Sequence, residues 1–569
     1  MIPLIQTDLE NIHSERRLVM TEQKFEMLFW QGKPPSSGGY PGFNPRTEEV
    51  KGMLIERDVA VKMSDGVKIF IDIFRPKKEG EYPVLVSWGP YGKHGRVYPP
   101  NSDVRHDLSE YTAFEGADPI YWCAKGYVII NADPRGAWTS EGDLTFWTDQ
   151  EARDCAELIE WAGTQSWSNG KVGMYGVSYL AWIQWKVAAI NPPHLAAINP
   201  WEGVSDFYRE FCFHGGIPET AFTTRLRDLG WCRTTTRVED FVGMALRHPL
   251  FDDYWASKNA DLSIITVPAF IVASWSDHAL HSRGTLEGFK KIASKDKWLM
   301  VHGRKKWATF HEQENLEKQR QFFDHFLKGI DSGVNNWPKV ALEIRRRYNV
   351  GSFRPENEWP LARTQYTKLF LNASDGKMSD APFKDEAQVR YSASNVGDKT
   401  QNAQFEFEFE KMTELIGHMK LRLWVQAVGS EDMDLFVALQ KIDRSGETVP
   451  FAFCWTHEDG PVALGWLRVS HRELDEESST PYQPVLKHQR EIKLKADEIV
   501  PVEIEIWPSS TLFEPGEKLR VVVQGSDIGM YWGEVATYGH LNTVNMGDHI
   551  IYSGGKYDSH LLVPDIPAV

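Results

Sequence analysis

The sequence predicts an α/β chain in which a largely parallel sheet, covered on both faces, carries an inserted helical segment and is followed by an all-β domain. Three observations lead there. Between residues 82 and 303, short apolar runs recur with helix-like stretches between them, the texture of strands joined by crossover helices. Residues 203–262 interrupt that alternation with a stretch rich in Phe, Trp and Arg that holds no strand series. After residue 350 the apolar residues recur at every second position, broken by Gly, Pro, Asp and Ser.

The elements follow in order. An amphipathic helix is expected around RRLVMTEQKFEMLFW, then the turn-rich KPPSSGGYPGFNPRTEE, which can hold no long helix or strand. Together they read as an arm laid on a neighbouring domain or a second subunit. ERDVAVKMSDGVKIFIDIFRPK has two alternating runs about Ser64-Asp65-Gly66 and predicts an antiparallel pair. YPVLVSWG, YVIINADPRG, KVGMYG and LAAINPW then supply parallel strands, with DQEARDCAELIEWAGTQ as a helix between two of them. Residues 203–262 predict helices lying over the sheet. VPAFIVASWSD and KWLMVHG restore the strands, and ENLEKQRQFFDHFLKG closes this part as a helix. QYTKLFLN, QFEFEFE, MKLRLWVQAV, MDLFVALQKID, VEIEIWP and LRVVVQGS predict a β-sandwich. The expected divisions are an arm (1–54), the sheet domain in two parts (55–202 and 263–349), a helical cap (203–262) and the β domain (350–569).

A chain of 569 residues exceeds one hydrophobic core and implies two or three domains. With 79 acidic against 63 basic residues its formal charge is -16, which argues against broad attraction to nucleic acid or anionic membranes. No apolar run of 18 residues could span a bilayer. The first residues, MIPLIQTDLENIHSERRLVM, lack the charge order of a signal peptide, so a cytoplasmic location is expected. Cys123, Cys155, Cys212, Cys232 and Cys454 are scattered and odd in number, which suits reduced, packed thiols better than zinc ligands or a disulfide framework.

Ser178 lies in GMYGVSYLAW, at the junction of a predicted strand and a predicted helix. Gly176 stands two residues before it, as a tight nucleophile turn needs, although Leu180 fills the position that is usually the second glycine. Ala181 is small enough for the helix to approach the strand. The backbone N–H of Tyr179, at the helix start, suits a developing oxyanion. Asp277 follows the strand-like PAFIVAS, where α/β active sites are built, and fits equally a helix N-cap. His302 ends WLMVH and is the expected general base, with His311 as its substitute; His278 and His281 are too close to Asp277 to sit on the next strand. The order Ser178, Asp277, His302 is that of an α/β-hydrolase triad. Tyr91, in SWGPYGKHG, stands in the loop that supplies the second oxyanion donor, and Asp133 with Arg135 reads as a turn-locking ion pair beside Gly136.

At this point the chain resembles the cocaine esterase / X-prolyl dipeptidyl peptidase family (peptidase S15-like, CocE/NonD) of serine hydrolases, which includes the α-amino acid ester hydrolases. The resemblance rests on SDGVKIFIDIFRP, GPYGK, GYVIINADPRGAWTSEG, GMYGVSY, the WSD after the late strand, TELIGHMKLRLWVQA with DMDLF, and YDSHLLVPDIP, in order over roughly residues 55 to 565. It implies an α/β-hydrolase domain, an inserted helical cap and a C-terminal jelly roll, acting without a cofactor. By the same resemblance Ser178 is the nucleophile, Asp277 the triad acid, and Tyr91 with the Tyr179 backbone the oxyanion hole. The departure is VHGRKKWATFH, where the family's Gly-Pro-Trp-x-His would align Trp307 with the histidine.

The cap's Phe207, Phe211 and Phe213, with Trp201, are candidate walls of a pocket for an acyl or aryl group. A peptidase releasing X-Pro dipeptides needs an anion for the substrate amine, and Glu202, Asp206, Glu210 and Glu219 are candidates without distinctive spacing. A small ester, hydrolysed through an acyl-enzyme, is therefore the expected substrate. The rival readings are an X-prolyl dipeptidyl peptidase or α-amino acid ester hydrolase, an acyltransferase using the same triad, and a non-catalytic binding protein. No metal or other cofactor is expected, and a homo-oligomer is compatible with the arm.

Overall fold

The computed structural model describes residues 25–35, 42–94, 98–229, 232–394, 400–528 and 538–567. Strands whose residues are apolar on both faces pair in parallel and need cover above and below. Val84, Leu85, Val86, Val128, Ile129, Ile130, Ile271 and Val272 are all fully buried, and they lie in the middle of one twisted sheet. Its order is Arg46–Val50, Met53–Lys62, Lys68–Pro76, Val128–Asp133, Tyr82–Trp88, Ser168–Val177, Leu195–Trp201, Ala269–Ser274, Lys297–His302, Val340–Arg347 and Val350–Glu356. Pairing is parallel from Val128–Asp133 to Val340–Arg347 and antiparallel at both ends.

The helix Asp149–Gly163 begins where Thr148 accepts from the N–H of Glu151, with Asp149 and Glu151 at the positive end of its dipole. Tyr179–Ile190 is buried from Tyr179 to Ala188, as expected of a helix that is apolar on all sides. Gln313–Lys328 ends on Gly329, whose φ of 68° closes the helix without a Cβ clash.

Between the strands Leu195–Trp201 and Ala269–Ser274 the cap holds the helices Phe222–Leu229, Phe241–Arg247 and Asp253–Lys258. Of the helix expected near the N-terminus, residues 16–24 lie outside the described residues. The described end is a strand, Phe29–Gln31, which pairs antiparallel with Arg237–Glu239 of the same chain's cap. Residues 36–41 of the turn-rich segment also lie outside the described residues.

Period two after residue 350 becomes a sandwich that closes on itself. The long strand Thr413–Val428 pairs with Val500–Phe513 on one edge and with Asp548–Ser553 and His560–Asp565 on the other. The facing sheet runs Asn402–Glu408, Lys518–Gln524, Asp434–Ile442 and Ala463–Arg468. Leu421, Leu423, Val437, Leu439, Ile504, Val521, Val523 and Leu561 fill its interior. The alternate residues Phe436, Ala438, Leu464, Trp466 and Trp507 join the core of the first domain instead. One side of the sandwich is therefore an interior surface, and this is what brings its loops to the site.

Arg135 and Asp133 do not pair with each other as expected. Arg135 binds Asp154 and Asp65, while Asp133 accepts from the backbone N–H of Lys93. The five cysteines are buried and free.

Candidate active site

The strand Ser168–Val177 delivers Ser178 at its carboxyl end, and the helix Tyr179–Ile190 starts immediately after it. Ser178 has φ 59° and ψ −116°, a conformation that a non-glycine residue adopts only when its surroundings force it. Those surroundings are visible. The N–H of Ser178 donates to Trp201 O on the next strand at 3.0 Å, and that of Val177 to Glu115 O at 3.1 Å. Gly176 has φ 143°, and a Cβ there would lie 2.5 Å from Leu180 Cβ; a Cβ on Gly89 would lie 2.5 Å from Leu180 Cδ1. Leu180 thus occupies space that two glycines vacate, which explains why this turn tolerates it. The helix start is pinned by Tyr179, whose hydroxyl donates to Glu151 Oε1 at 2.6 Å.

Asp277 and His281 lie in the turn after Ala269–Ser274, and His281 immediately precedes the helix Ser282–Lys291. His281 Nε2 is 3.1 Å from Ser178 Oγ, and His281 Nδ1 is 2.5 Å from Asp277 Oδ2. Lys306 Nζ donates to the same Asp277 oxygen at 2.9 Å, and the Tyr538 hydroxyl, from the sandwich, donates to Asp277 Oδ1 at 3.1 Å. All four groups are buried. Burial alone would raise the Asp277 carboxyl, but Lys306 and His281 hold it well below the usual carboxylate range. Burial and the Lys306 ammonium lower the His281 imidazole to about 4, against the pull of Asp277. The imidazole is neutral at pH 7, with Nδ1–H directed to the carboxylate and the Nε2 lone pair to the serine, as a general base requires.

His302 stands elsewhere. It lies within its strand, opposite Ser274, and its Nε2 meets Glu202 Oε1 at 3.0 Å. Its strand is three positions from that of Ser178, about 14 Å at the usual interstrand spacing. A strand-borne imidazole cannot cross that gap, whereas a turn that folds back over the sheet edge can. The expected pairing of Ser178 with His302 is therefore corrected to His281. The substitute, His311, is also remote in function: its Nε2 meets the Tyr98 hydroxyl at 2.9 Å. The signal for His281 was in the sequence as Asp277-His-Ala-Leu-His281, since a spacing of four puts two side chains on one side of a helical turn.

Tyr91 is half-buried beside the nucleophile turn, edge-on to Tyr179 with ring centroids 6.2 Å apart, and to Phe114 at 5.0 Å. Trp307, aligned by sequence with the missing histidine, donates its indole N–H to Glu115 Oε1 at 2.8 Å and stacks on Trp455 of the sandwich. The four aromatics expected to wall a pocket are packed in the interior. Trp201 lies against Phe310, Phe207 stacks on Trp255 and touches Phe211, and Phe213 stacks on Tyr208. Tyr538 meets Asp277 and Trp455 lies against the Lys306 ammonium, and these two rings pack in one cluster with Phe222 of the cap and with Trp307 and Phe114 of the sheet domain. Of the candidate amine-binding acids, Asp206 is engaged with Arg209, Glu210 with Arg283 and Glu219 with the N–H groups of Phe222 and Thr223, whereas Glu202 meets His302 through Oε1 and its Oε2 is buried without a hydrogen-bond partner among the described residues.

Among the described residues, Glu202, Asp277 and His281 each bring a possible ligand atom within 4.8 Å of the others. Lys306 Nζ, bonded to Asp277 and 3.2 Å from His281 Nδ1, already supplies positive charge on those two atoms, so the donor set does not fit a metal ion well.

Comparison with known proteins places the whole architecture in one family. Residues 65–305 match the X-Pro dipeptidyl-peptidase (S15 family) profile, and residues 332–562 match the X-Pro dipeptidyl-peptidase C-terminal non-catalytic domain. A crystal structure of a CocE/NonD family hydrolase from Staphylococcus aureus is 45% identical, with a TM-score of 0.87 over 90% of this chain and 94% of that one. The cocaine esterase of Rhodococcus sp. is 26% identical over 90% of this chain and 98% of its own length. An α-amino acid ester hydrolase, 17% identical, shares the fold with a TM-score of 0.68 over 94% of this chain and 100% of that one.

Proposed function

Because the chain belongs to the CocE/NonD, peptidase S15-like family of α/β-hydrolases, and is a serine hydrolase of esters or amides, we propose that it acts on small carboxylic esters through an acyl-enzyme on Ser178. In this reading Ser178 Oγ attacks the ester carbonyl while His281 Nε2 takes its proton. Asp277 holds the Nδ1–H tautomer and stabilises the imidazolium. The oxyanion is received by the backbone N–H of Tyr179 and the hydroxyl of Tyr91. Collapse of the tetrahedral intermediate returns the proton from His281 to the leaving alkoxide, and a water activated by the same imidazole then releases the acid.

The observation that carries the reading is the continuous relay of 3.1 Å and 2.5 Å from Ser178 through His281 to Asp277. Two further facts favour esters. An alkoxide leaves more readily than an amine, and three of the four acids that could hold a substrate's free amine, Asp206, Glu210 and Glu219, are committed to partners within the protein. The rings of Phe114, Trp307, Trp455 and Tyr538 suit an acyl or aryl group. The similarity to cocaine esterase, over nearly the whole of both chains, points the same way.

The test is a fluorophosphonate probe with p-nitrophenyl butyrate as the turnover substrate. The wild-type protein should be labelled once, at Ser178. Ser178→Ala should lose labelling and on the order of a millionfold in turnover, since triad groups act as a unit. Full hydrolysis by pure Ser178→Ala would sink the proposal.

A further inference from the structure

Lys306 is a fully buried cation that the reaction above does not use. It opens the short helix Lys306–His311, and its ammonium is directed inward. Its nitrogen lies 2.9 Å from Asp277 Oδ2 and 3.2 Å from His281 Nδ1, so it touches the acid and the base on the side away from Ser178. It also lies over the Trp455 ring, 5.0 Å from the centroid. The charged and titratable groups around it come from every element packed there. Asp277 and His281 belong to the turn, Glu202 follows Leu195–Trp201, Glu115 lies in the loop beneath the nucleophile turn, and Tyr538 and Cys454 come from the sandwich. Burial would drive its proton off, but Asp277, Glu202 and Glu115 more than offset that and keep it charged.

A fixed positive charge beside Nδ1 has two consequences. It locks the carboxylate that orients the imidazole, because Asp277 Oδ2 then has two donors and cannot rotate away from His281. It also repels the proton that His281 must accept, so the imidazole remains unprotonated in more acidic solution than an ordinary histidine. We propose that Lys306 is a positioning residue of this site, clamping Asp277 and keeping His281 competent as a base in mildly acidic solution. This rests on the assignment of Ser178 and His281 given above.

The experiment follows the rate of Ser178 phosphonylation, and kcat/KM for p-nitrophenyl butyrate, from pH 4.5 to 9, with circular dichroism at each pH to confirm folding. Absence of phosphonylation at every pH would be a failure of the serine-hydrolase assignment, whereas the position of the acid limb tests Lys306. The wild-type protein should keep more than half of its plateau rate at pH 5. Lys306→Met and Lys306→Gln should move the acid limb upward by at least about one pH unit, towards the ordinary imidazole value of about 6.5. Lys306→Arg, which keeps the charge, should leave the limb near that of the wild type. A wild-type limb centred near 6.5, or an unmoved limb in a folded neutral variant, overturns the proposal. If both neutral variants fail to fold while Lys306→Arg folds, the residue is a structural counter-charge and the proposal falls as well.

Discussion

His281 is the imidazole that meets Ser178 and carries the proposed chemistry, whereas His302 is the histidine that strand-end placement in the sequence points to. The two make opposite predictions. His281→Ala removes the only imidazole on Ser178 among the described residues and should lower turnover by several orders of magnitude with folding intact. His302→Ala leaves the relay in place but strips the partner from Glu202, which is fully buried. It should cost about 3 kcal/mol of stability, as expected for one member of a buried pair, and change kcat by less than about tenfold once folded. Denaturant melts and p-nitrophenyl butyrate turnover on both variants separate the roles; a dead but stable His302→Ala would reverse them. Ser178 and Asp277 could be named from sequence because each follows an apolar strand at the sheet's carboxyl edge. His281 escaped because that rule expects the base after the next strand, and only the path of the turn brings it back.

At the scale of elements, the turn that carries Ser178 is a strand and a helix held at contact distance. Gly176 and Gly89 give up their side-chain volume to Leu180, and Gly203 does the same for Ala181, whose Cβ would be 3.3 Å from one built on that glycine. This arrangement makes Gly176 the sharpest test of the turn. Gly176→Ala would place a Cβ 2.5 Å from Leu180 Cβ and 3.0 Å from Glu115 O, at a φ of 143° that an L-residue resists. It should cost about 2–4 kcal/mol from overpacking and backbone strain. Turnover should fall further than the unfolded fraction explains, since Ser178 moves with the turn. A variant with unchanged melting temperature and kcat would show that the turn is not under this constraint. The strand before Ser178 and the helix after it were legible from apolar runs, and Gly176 from its spacing. The fit of Leu180 was not, because Gly89 lies 91 positions away in the chain.

Across the whole molecule, the sandwich is bound to the sheet domain through buried polar groups. The guanidinium of Arg345, on the strand Val340–Arg347, donates to Ser510 O, Val462 O and Ser509 Oγ. Arg283, two residues beyond His281, joins Glu210 of the cap to Glu505 of the sandwich. Tyr538 completes the donors on Asp277. The same burial governs the response to acid. Burial holds His278, His311, His418 and His549 near 3 and His281 and His471 near 4, with His214 and His488 also well below 6.5. Their folded values lie below the unfolded one, so the stability they contribute is whole above about pH 6.5 and is lost as the pH falls towards 3. Glu115, Asp133, Glu151 and Glu210 are pushed up to about 7, with Glu202 and Glu219 also raised, and they act in the opposite sense between about pH 7 and 4.5. The two sets largely cancel down to about pH 4.5, below which the histidines remain, joined by carboxylates such as Asp277 and Glu287 that their cationic neighbours hold below the ordinary range and that act in the same sense. Melting temperature should therefore decline gently from pH 7 to 5 and collapse between about pH 4.5 and 3, as followed by circular dichroism; a flat profile to pH 3.5 would refute it.

By itself, the sequence determined the parallel sheet, the insertion after Trp201, the β-sandwich, and Ser178 and Asp277 as strand-end residues. These depend on local periodicity and on which residues bound each run, and both are written along the chain. Tertiary structure decided which histidine meets Ser178, that Trp455 lies against Lys306, and that Lys306 and Tyr538 share Asp277. Lys306 comes from a helix 29 residues after Asp277, and Tyr538 from a different domain 261 residues later. Contacts of that kind are set by how buried faces pack together, and no spacing along the chain encodes them.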